Sequence, residues 1–384
     1  MEGGIMMVGA DMKKFGKIIA RVINKENLTR EETREAFSQI LGHQQPEMQQ
    51  GAFLAALAAK GETIEEIAGC WEAIYQLDTV KITLDTKTPA VENCGTGMDS
   101  VKTFNISTAA SIIAAAADIP MARHGSRAVT SSCGTVDLLE ELGINVECSH
   151  LLVKRSIERA GIGIFNGTSP RVHPRALGRI LSQISFGTIL NTAASLANPA
   201  LPAYGVRGVH SRELLHRVPL IMAETGYKKA LVVHGLAADG KKGMDEASLL
   251  GKTLVAELGE GGGIRHYSFT PEDMGLKRGR EEDLKPSPRK ETEARRLIKL
   301  LKGEEKGPRE DIVSLNAALI LHLRGKARDL PQGIHISRDL IKSGRALAKL
   351  REWVAEQNDN PQRGLTRLKN LEESRNHLQE TLSC

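Results

Sequence analysis

Residues 90–125 read AVENCGTGMDSVKTFNISTAASIIAAAADIPMARHG, and the fold turns on this stretch. Residues 90–94 form a short run that stops at Gly95-Thr96-Gly97. Residues 107–117 are small and apolar at helical spacing, and 119–122 form a second short run stopping at Arg123-His124-Gly125. Strand, helix and strand in that order predict a parallel pair joined by a crossover helix, with ligand groups at the strand ends. The alternation continues through predicted helices at 136–142, 174–184 and 212–224 and a run at 230–234 that ends on Gly235. The predicted class is α/β.

Outward from that unit the pattern changes. Thr29 with Glu32, and Thr63 with Glu66, have the spacing of capping boxes, and Phe53, Leu54, Ala56 and Leu57 recur at helical spacing. Residues 1–82 are therefore expected to form a small helical domain whose apolar stripes suit packing against another chain. Residues 83–357 form the α/β domain, in which 277–290 carries six basic residues and two prolines and reads as a surface loop. Helices are expected at 291–302, 311–325 and from Ser337 to about Gln357. The tail, 358–384, places leucines at 365, 368, 371, 378 and 382, an amphipathic spacing that suits a helix packed on the body.

Composition narrows the classes. A chain of 384 residues, 41% hydrophobic and 26% charged, is not disordered or fibrous. Cys70, Cys94, Cys133, Cys148 and Cys384 are never two residues apart, which excludes a disulfide framework and the usual cysteine zinc site. The most apolar stretch, 107–122, includes Asp118 and Pro120 and is shorter than the roughly 20 residues a spanning helix needs. The scattered cysteines make a reducing, cytoplasmic setting the default, and no secretion signal is read in the N-terminal residues. A net charge of +5 suits an anionic small substrate and permits nucleic-acid contact, while 3% aromatic residues argue against a base-stacking surface.

Three clusters can carry chemistry. Gly95 and Gly97 let backbone amides approach a ligand, Asp99 can hold a metal or sugar hydroxyl, and Asn105-Ile106-Ser107-Thr108 opens a helix where a phosphate is favoured. Arg123-His124-Gly125-Ser126-Arg127, followed by Ser131, Ser132, Gly134 and Thr135, reads as a cationic clamp for a polyanion. Asp245-Glu246 offers adjacent carboxylates of the kind Mg2+ prefers. The chain has no Gly-x-Ser-x-Gly, His-Glu-x-x-His or Walker motif, and His173, His210 and His234 read as structural or supporting histidines.

Together these residues resemble the anthranilate phosphoribosyltransferase family, whose pattern runs GTGGD, N-x-S-T, K-H-G-N-R, a Ser/Gly-rich turn and a later Asp-Glu. The likeness extends to LTREE at 28–32, AAKGETIEEIAG at 58–69, TILN at 188–191, LANPA at 196–200 and GPREDIVSLNAAL at 307–319. It implies a small N-terminal helical domain, completed by a segment near 168–190, beside a larger α/β domain. That domain would have a mainly parallel central sheet covered by helices, of the nucleoside phosphorylase/phosphoribosyltransferase type. It also implies a homodimer through the helical domain, and Mg2+-dependent transfer from 5-phosphoribosyl 1-pyrophosphate (PRPP) to an aromatic amine. The default acceptor is anthranilate, as in tryptophan biosynthesis, and pyrophosphate is released. By this resemblance Gly95, Thr96, Gly97, Asp99, Asn105, Ser107, Thr108, Arg123, Ser131 and Ser132 bind PRPP. Ser107, Asp245 and Glu246 serve the metal, and His124, Ser126 and Arg179 the acceptor. No covalent nucleophile is required.

The chain departs from the family pattern at named places. Met98 stands for the second glycine, Arg123 for lysine and Ser126 for asparagine. Leu181, Ser182 and Gln183 occupy the place of the arginine that binds the anthranilate carboxylate, with Arg175 and Arg179 the nearest substitutes. Thr192-Ala193-Ala194-Ser195 replaces a proline-glycine run. The alternatives are another acceptor, a pyrimidine nucleoside phosphorylase suggested by Ser126-Arg127, Gly134-Thr135-Val136-Asp137 and Glu140, and a non-catalytic nucleic-acid-binding relative.

Overall fold

The computed structural model describes residues 2–97, 99–127 and 133–373, with side chains from residue 12 onward. Eight short strands make one sheet: β1 (Val91–Gly95), β2 (Met121–Gly125), β3 (Ile162–Asn166), β4 (Tyr204–Gly208), β5 (Lys229–Leu236), β6 (Gly243–Met244), β7 (Thr253–Leu258) and β8 (Ile264–Phe269). Their order is β3-β2-β1-β4-β5-β7-β8, with β6 paired to β5. The pairs from β3 to β5 are parallel, whereas β6 and β7 run antiparallel to β5, and β8 to β7. The sheet is mainly parallel, as expected, with an antiparallel edge closed by the glycine-rich turn 259–263, where Gly259 N–H donates to Gly263 O (2.9 Å).

Residue alternation divides the sheet into two faces. Val91 and Val206 pack with the nearly wholly buried helices Ile106–Ala116 and Pro308–Leu323 in the largest core. On the other face Ala230 and Val232 share a core with Phe15, Phe37, Phe53 and Ile74 of the N-terminal helices Glu2–Ile23, Arg30–Leu41, Glu47–Lys60 and Ile64–Asp78. Leu177, Ile180 and Leu190, from the later helices Leu177–Gln183 and Ile189–Leu196, complete that core. Both capping boxes form: the Thr29 and Thr63 hydroxyls accept from Glu32 and Glu66 N–H. Glu66 goes further, accepting from Leu28 N–H and Lys60 in a buried position.

Two expectations need correction near the C-terminus. The helix predicted from Ser337 to Gln357 is two helices, Leu330–Lys342 and Arg345–Glu356, broken at Gly344, whose φ of +75° only glycine adopts cheaply. The loop 277–290 is not wholly at the surface: it holds the short helix Glu281–Leu284, and Leu284 is buried. The tail continues as the helix Pro361–Glu373 with Leu368 and Leu371 buried; Leu378 and Leu382 lie outside the described residues. At the sheet's outer edge the Gln357 amide accepts from Ile164 N–H (3.0 Å) and donates to Ile164 O (3.1 Å). It thus closes β3 as a further strand would. On the opposite edge Arg265 pairs with Glu257 and lies over Tyr267. No helix among the described residues is long and apolar enough to cross a membrane.

Candidate active site

The site forms where β1 and β4 end. Thr96 N–H donates to Gly208 O (3.0 Å) and Gly97, at φ +68°, donates to Asp245 Oδ2 (2.7 Å), so the turn after β1 is drawn onto the segment after β6. Gly95 and Gly208 are obligatory here. A Cβ on Gly95 would lie 2.0 Å from Asp245 Oδ2, and one on Gly208 1.4 Å from Asp245 O. Thr96 and His210 share a hydrogen bond (3.1 Å), so His210 supports this turn.

Asp99, Asp245 and Glu246 converge, with one oxygen of each within 4.8 Å of the others. Among the described residues Glu246 Oε2 is buried without a hydrogen-bond partner. Burial, then Asp245, raises the Asp99 carboxyl to about 6, and burial, then Asp245, pushes Glu246 well above the carboxylate range. Lys102 lies 3.6 Å from Asp99. Hard oxygen donors that repel one another, one of them orphaned, fit a divalent cation such as Mg2+. Asn316, which the sequence reading missed, brackets this segment by accepting from Ala247 N–H (2.9 Å) and donating to Ala247 O (3.0 Å).

The Ile106–Ala116 helix starts with no side-chain cap, because Asn105 donates instead to Cys133 O (3.2 Å) and accepts from Thr135. Its first amide, Ile106 N–H, donates to Phe104 O (2.7 Å), while the amides that follow and the positive dipole end suit an anion. Arg123 lies behind this end, 2% exposed, donating to Thr108 Oγ1 (2.7 Å), Ser107 Oγ (3.2 Å) and Asn93 O. Burial lowers its pKa to about 10, still charged at neutral pH.

The clamp expected at 123–127 does not form from both arginines. Arg123 points inward, whereas Arg127 is spent on Glu140 (2.8 Å), Glu147 (3.2 Å) and Asp137 (3.6 Å). Ser126 is exposed, and Arg179 ends on Glu47 (3.0 Å) and Gln50 (3.4 Å) of the helical domain rather than at the phosphate cluster. Arg175 is likewise exposed. Met98, Ser131 and Ser132 lie outside the described residues. His173 bonds Asp78 O and Thr79 through Nδ1, and His234 bonds Val209 O. In the basic loop Arg278, Arg280 and Lys290 pair with Glu272, Asp283 and Asp137.

His124 is buried on the opposite face of β2 from Arg123. It bonds the Ser195 backbone, and burial, then His173, depress it to about 3, so its ring is neutral. Among the described residues its Nε2 has no partner, and it abuts Gly167. Beside it, across β1, Arg207 donates to Cys94 Sγ (3.0 Å), Ser195 O (3.4 Å) and Ser195 Oγ.

Comparison with known proteins agrees with this arrangement. Residues 87–347 match the glycosyl transferase family a/b domain, and 16–77 match the helical bundle domain of the same family. Anthranilate phosphoribosyltransferase of Methanosarcina acetivorans is 39% identical over 346 residues, 89% of this chain and 90% of the relative. That of Thermoanaerobacter sp. is 38% identical over 334 residues, 87% and 96% of the two chains. Among solved structures, the Thermus thermophilus anthranilate phosphoribosyltransferase superposes with a TM-score of 0.78 at 34% identity, covering 88% of this chain and 98% of that one. The Saccharomyces cerevisiae enzyme in complex with PRPP and Mg shares the fold at 22% identity, with a TM-score of 0.78 over 90% of this chain and 98% of its own. With both domains matched and such relatives covered almost end to end, this chain belongs to the anthranilate phosphoribosyltransferase family.

Proposed function

We propose that the protein transfers the phosphoribosyl group of PRPP to anthranilate with Mg2+, releasing pyrophosphate. The observation that carries this reading is the convergence of Asp99, Asp245 and Glu246 beneath the Gly95–Gly97 turn, beside an uncapped helix start backed by a buried arginine. When bound, Mg2+ neutralises charge on the pyrophosphate, and Asp99, Asp245 and Glu246, with Ser107, would hold it. The turn amides and the helix start orient the phosphates and ribose. Arg123 keeps Ser107 and Thr108 in place and lends positive charge to the leaving pyrophosphate. His124 and Ser126 face the incoming amine. Neutral His124 offers an unprotonated Nε2 to it, since its other nitrogen bonds the Ser195 backbone. Bringing two substrates together in this way supplies roughly 7–11 kcal/mol of a barrier, and fixed dipoles add to it.

The same reading includes a homodimer through the helical domain, supported by exposed Met12, Ile23 and Met48 on its helices, the last 86% exposed. It also includes a cytoplasmic location, supported by free thiols at Cys70, Cys94, Cys133 and Cys148. The test is pyrophosphate release from PRPP and anthranilate by the wild type and by Asp245→Asn/Glu246→Gln. We expect turnover to fall at least about 100-fold in the double variant, with circular dichroism and melting nearly unchanged. Full activity in that variant would refute the carboxylate assignment.

A further inference from the structure

The match to the family's a/b domain stops at residue 347, yet the chain runs on into a further helix, Pro361–Glu373. Burial of Leu368 and Leu371 seats that helix on the main core. A set of polar bonds from 357–367 does something more specific, for it converges on one short stretch, 141–145. Arg367 donates to Glu141 O (2.8 Å) and to the Glu141 carboxylate (2.9 Å). Asn358 donates to Gly143 O (2.7 Å), and Asp359 accepts from the Asn145 side-chain amide (2.7 Å). The Gln357 carbonyl accepts from Asn145 N–H (3.1 Å), and its side-chain amide donates to Asn145 O (3.3 Å). The backbones of Gly143 and Gly364 touch: a Cβ on either would lie 2.5 or 2.6 Å from the carbonyl oxygen of the other.

We propose that residues 357–367 position the PRPP site by holding the far end of the Thr135–Glu141 helix. This rests on the transfer reading and deepens it, assigning donor-site geometry to a segment beyond the matched family domain.

The connection runs through one rigid rod. Arg367 caps the last carbonyl of the Thr135–Glu141 helix, where the dipole favours a cation. About 10 Å away, at 1.5 Å per residue, the first turn of the same helix meets the phosphate site. Thr135 donates to Asn105 Oδ1 (3.5 Å), Asn105 donates to Cys133 O (3.2 Å), and Val136 N–H donates to Ser126 O (3.3 Å). Asn105 is the residue whose turning away leaves the Ile106–Ala116 helix uncapped for an anion. A second route reaches the same place. Glu147 N–H donates to Asn145 Oδ1 (3.1 Å), and Glu147 and Glu140 both hold Arg127, the residue after Ser126 (3.2 and 2.8 Å). A shift allowed at 141–145 therefore appears at Asn105 and Ser126. Asn358 and Arg367 are positioning residues, since they act only through this rod.

The test is calorimetric titration of the full chain with PRPP and Mg2+, run beside steady-state turnover of anthranilate at saturating PRPP. It compares the wild type with Arg367→Gln, Arg367→Lys, Gly364→Ala and Arg351→Gln. The last breaks the Arg351–Glu372 pair (2.7 Å), which ties the tail to the preceding helix without touching 141–145, and so controls for general loosening. Arg367→Gln should weaken PRPP binding about fivefold and Gly364→Ala about tenfold, as the fraction of molecules with a competent donor site falls by those factors. The anthranilate KM should stay within about twofold, Arg367→Lys should recover part of the loss, and Arg351→Gln should bind PRPP as the wild type does. Wild-type PRPP affinity in Arg367→Gln overturns the proposal. So does an equal loss in Arg351→Gln, which makes the tail a general support. If Gly364→Ala fails to fold, the exposed Arg367 decides alone, with circular dichroism and melting of its variants expected to be nearly unchanged. A wild type that binds PRPP and leaves anthranilate unused overturns the transfer reading but not the positioning role. One that binds no PRPP overturns both.

Discussion

Gly95 shows how little slack the site has. Its hydrogen stands where a Cβ would meet the Asp245 carboxylate at 2.0 Å, so Gly95→Ala has to push that carboxylate out of the cluster. We expect Mg2+-dependent PRPP affinity to fall at least about tenfold by calorimetric titration, while the melting temperature drops by only a few degrees, about 1 kcal/mol. Affinity at the wild-type level would mean that Asp245 does not hold the metal. Such residues were legible because their chemistry is tied to local order: glycines after a short run, an aspartate, then polar residues opening a helix. Arg207 was not. In YGVRG it is one arginine in a short run, and only the fold brings Ser195, twelve positions earlier, against its guanidinium. Asn316 escaped notice for the same reason, since its partner Ala247 is distant in sequence.

Elements were legible where a local signal marks their ends. The capping boxes at Thr29 and Thr63 form as their spacing predicts, and the runs at 90–94, 119–122 and 230–234 lie within or overlap β1, β2 and β5. The helix His150–Ala160 and strands β3, β4, β7 and β8 were not read. β3 is buried throughout, so it lacks the alternation that marks a half-exposed strand, and the antiparallel edge depends on a long-range pairing with β5. The break at Gly344 was missed because the apolar periodicity resumes on its far side. Gly344→Ala should cost about 1 kcal/mol in urea unfolding, the penalty for a Cβ at positive φ. A stabilising effect would show that the two flanking helices can merge after all.

For the molecule as a whole, the helical core and the sheet meet over a polar seam that includes His124, His173 and Arg207. His124 is depressed from 6.5 to about 3, chiefly by burial, with His173 and Arg207 adding to it and the Ser195 backbone opposing. The unfolded chain therefore takes up a proton as pH falls below 6.5 that the folded chain refuses. Stability is lost progressively from there toward pH 3, by up to about 2 kcal/mol at pH 5 from this residue. His173 is shifted the same way by burial. Urea midpoints at pH 7 and pH 5 should move less in His124→Asn than in the wild type; an equal shift in both would show that the ring does not resist protonation.

The Gln357 amide that pairs with Ile164, and the Arg265–Glu257 pair at the other margin, also govern how the folded protein meets its own copies. A sheet with an open margin is a template on which another molecule can add strands, the first step toward insoluble aggregates. Here one margin has its central hydrogen bonds already satisfied and the other carries charge. Each margin is thereby a poor template for strand addition, which steers association of folded copies away from open-ended growth.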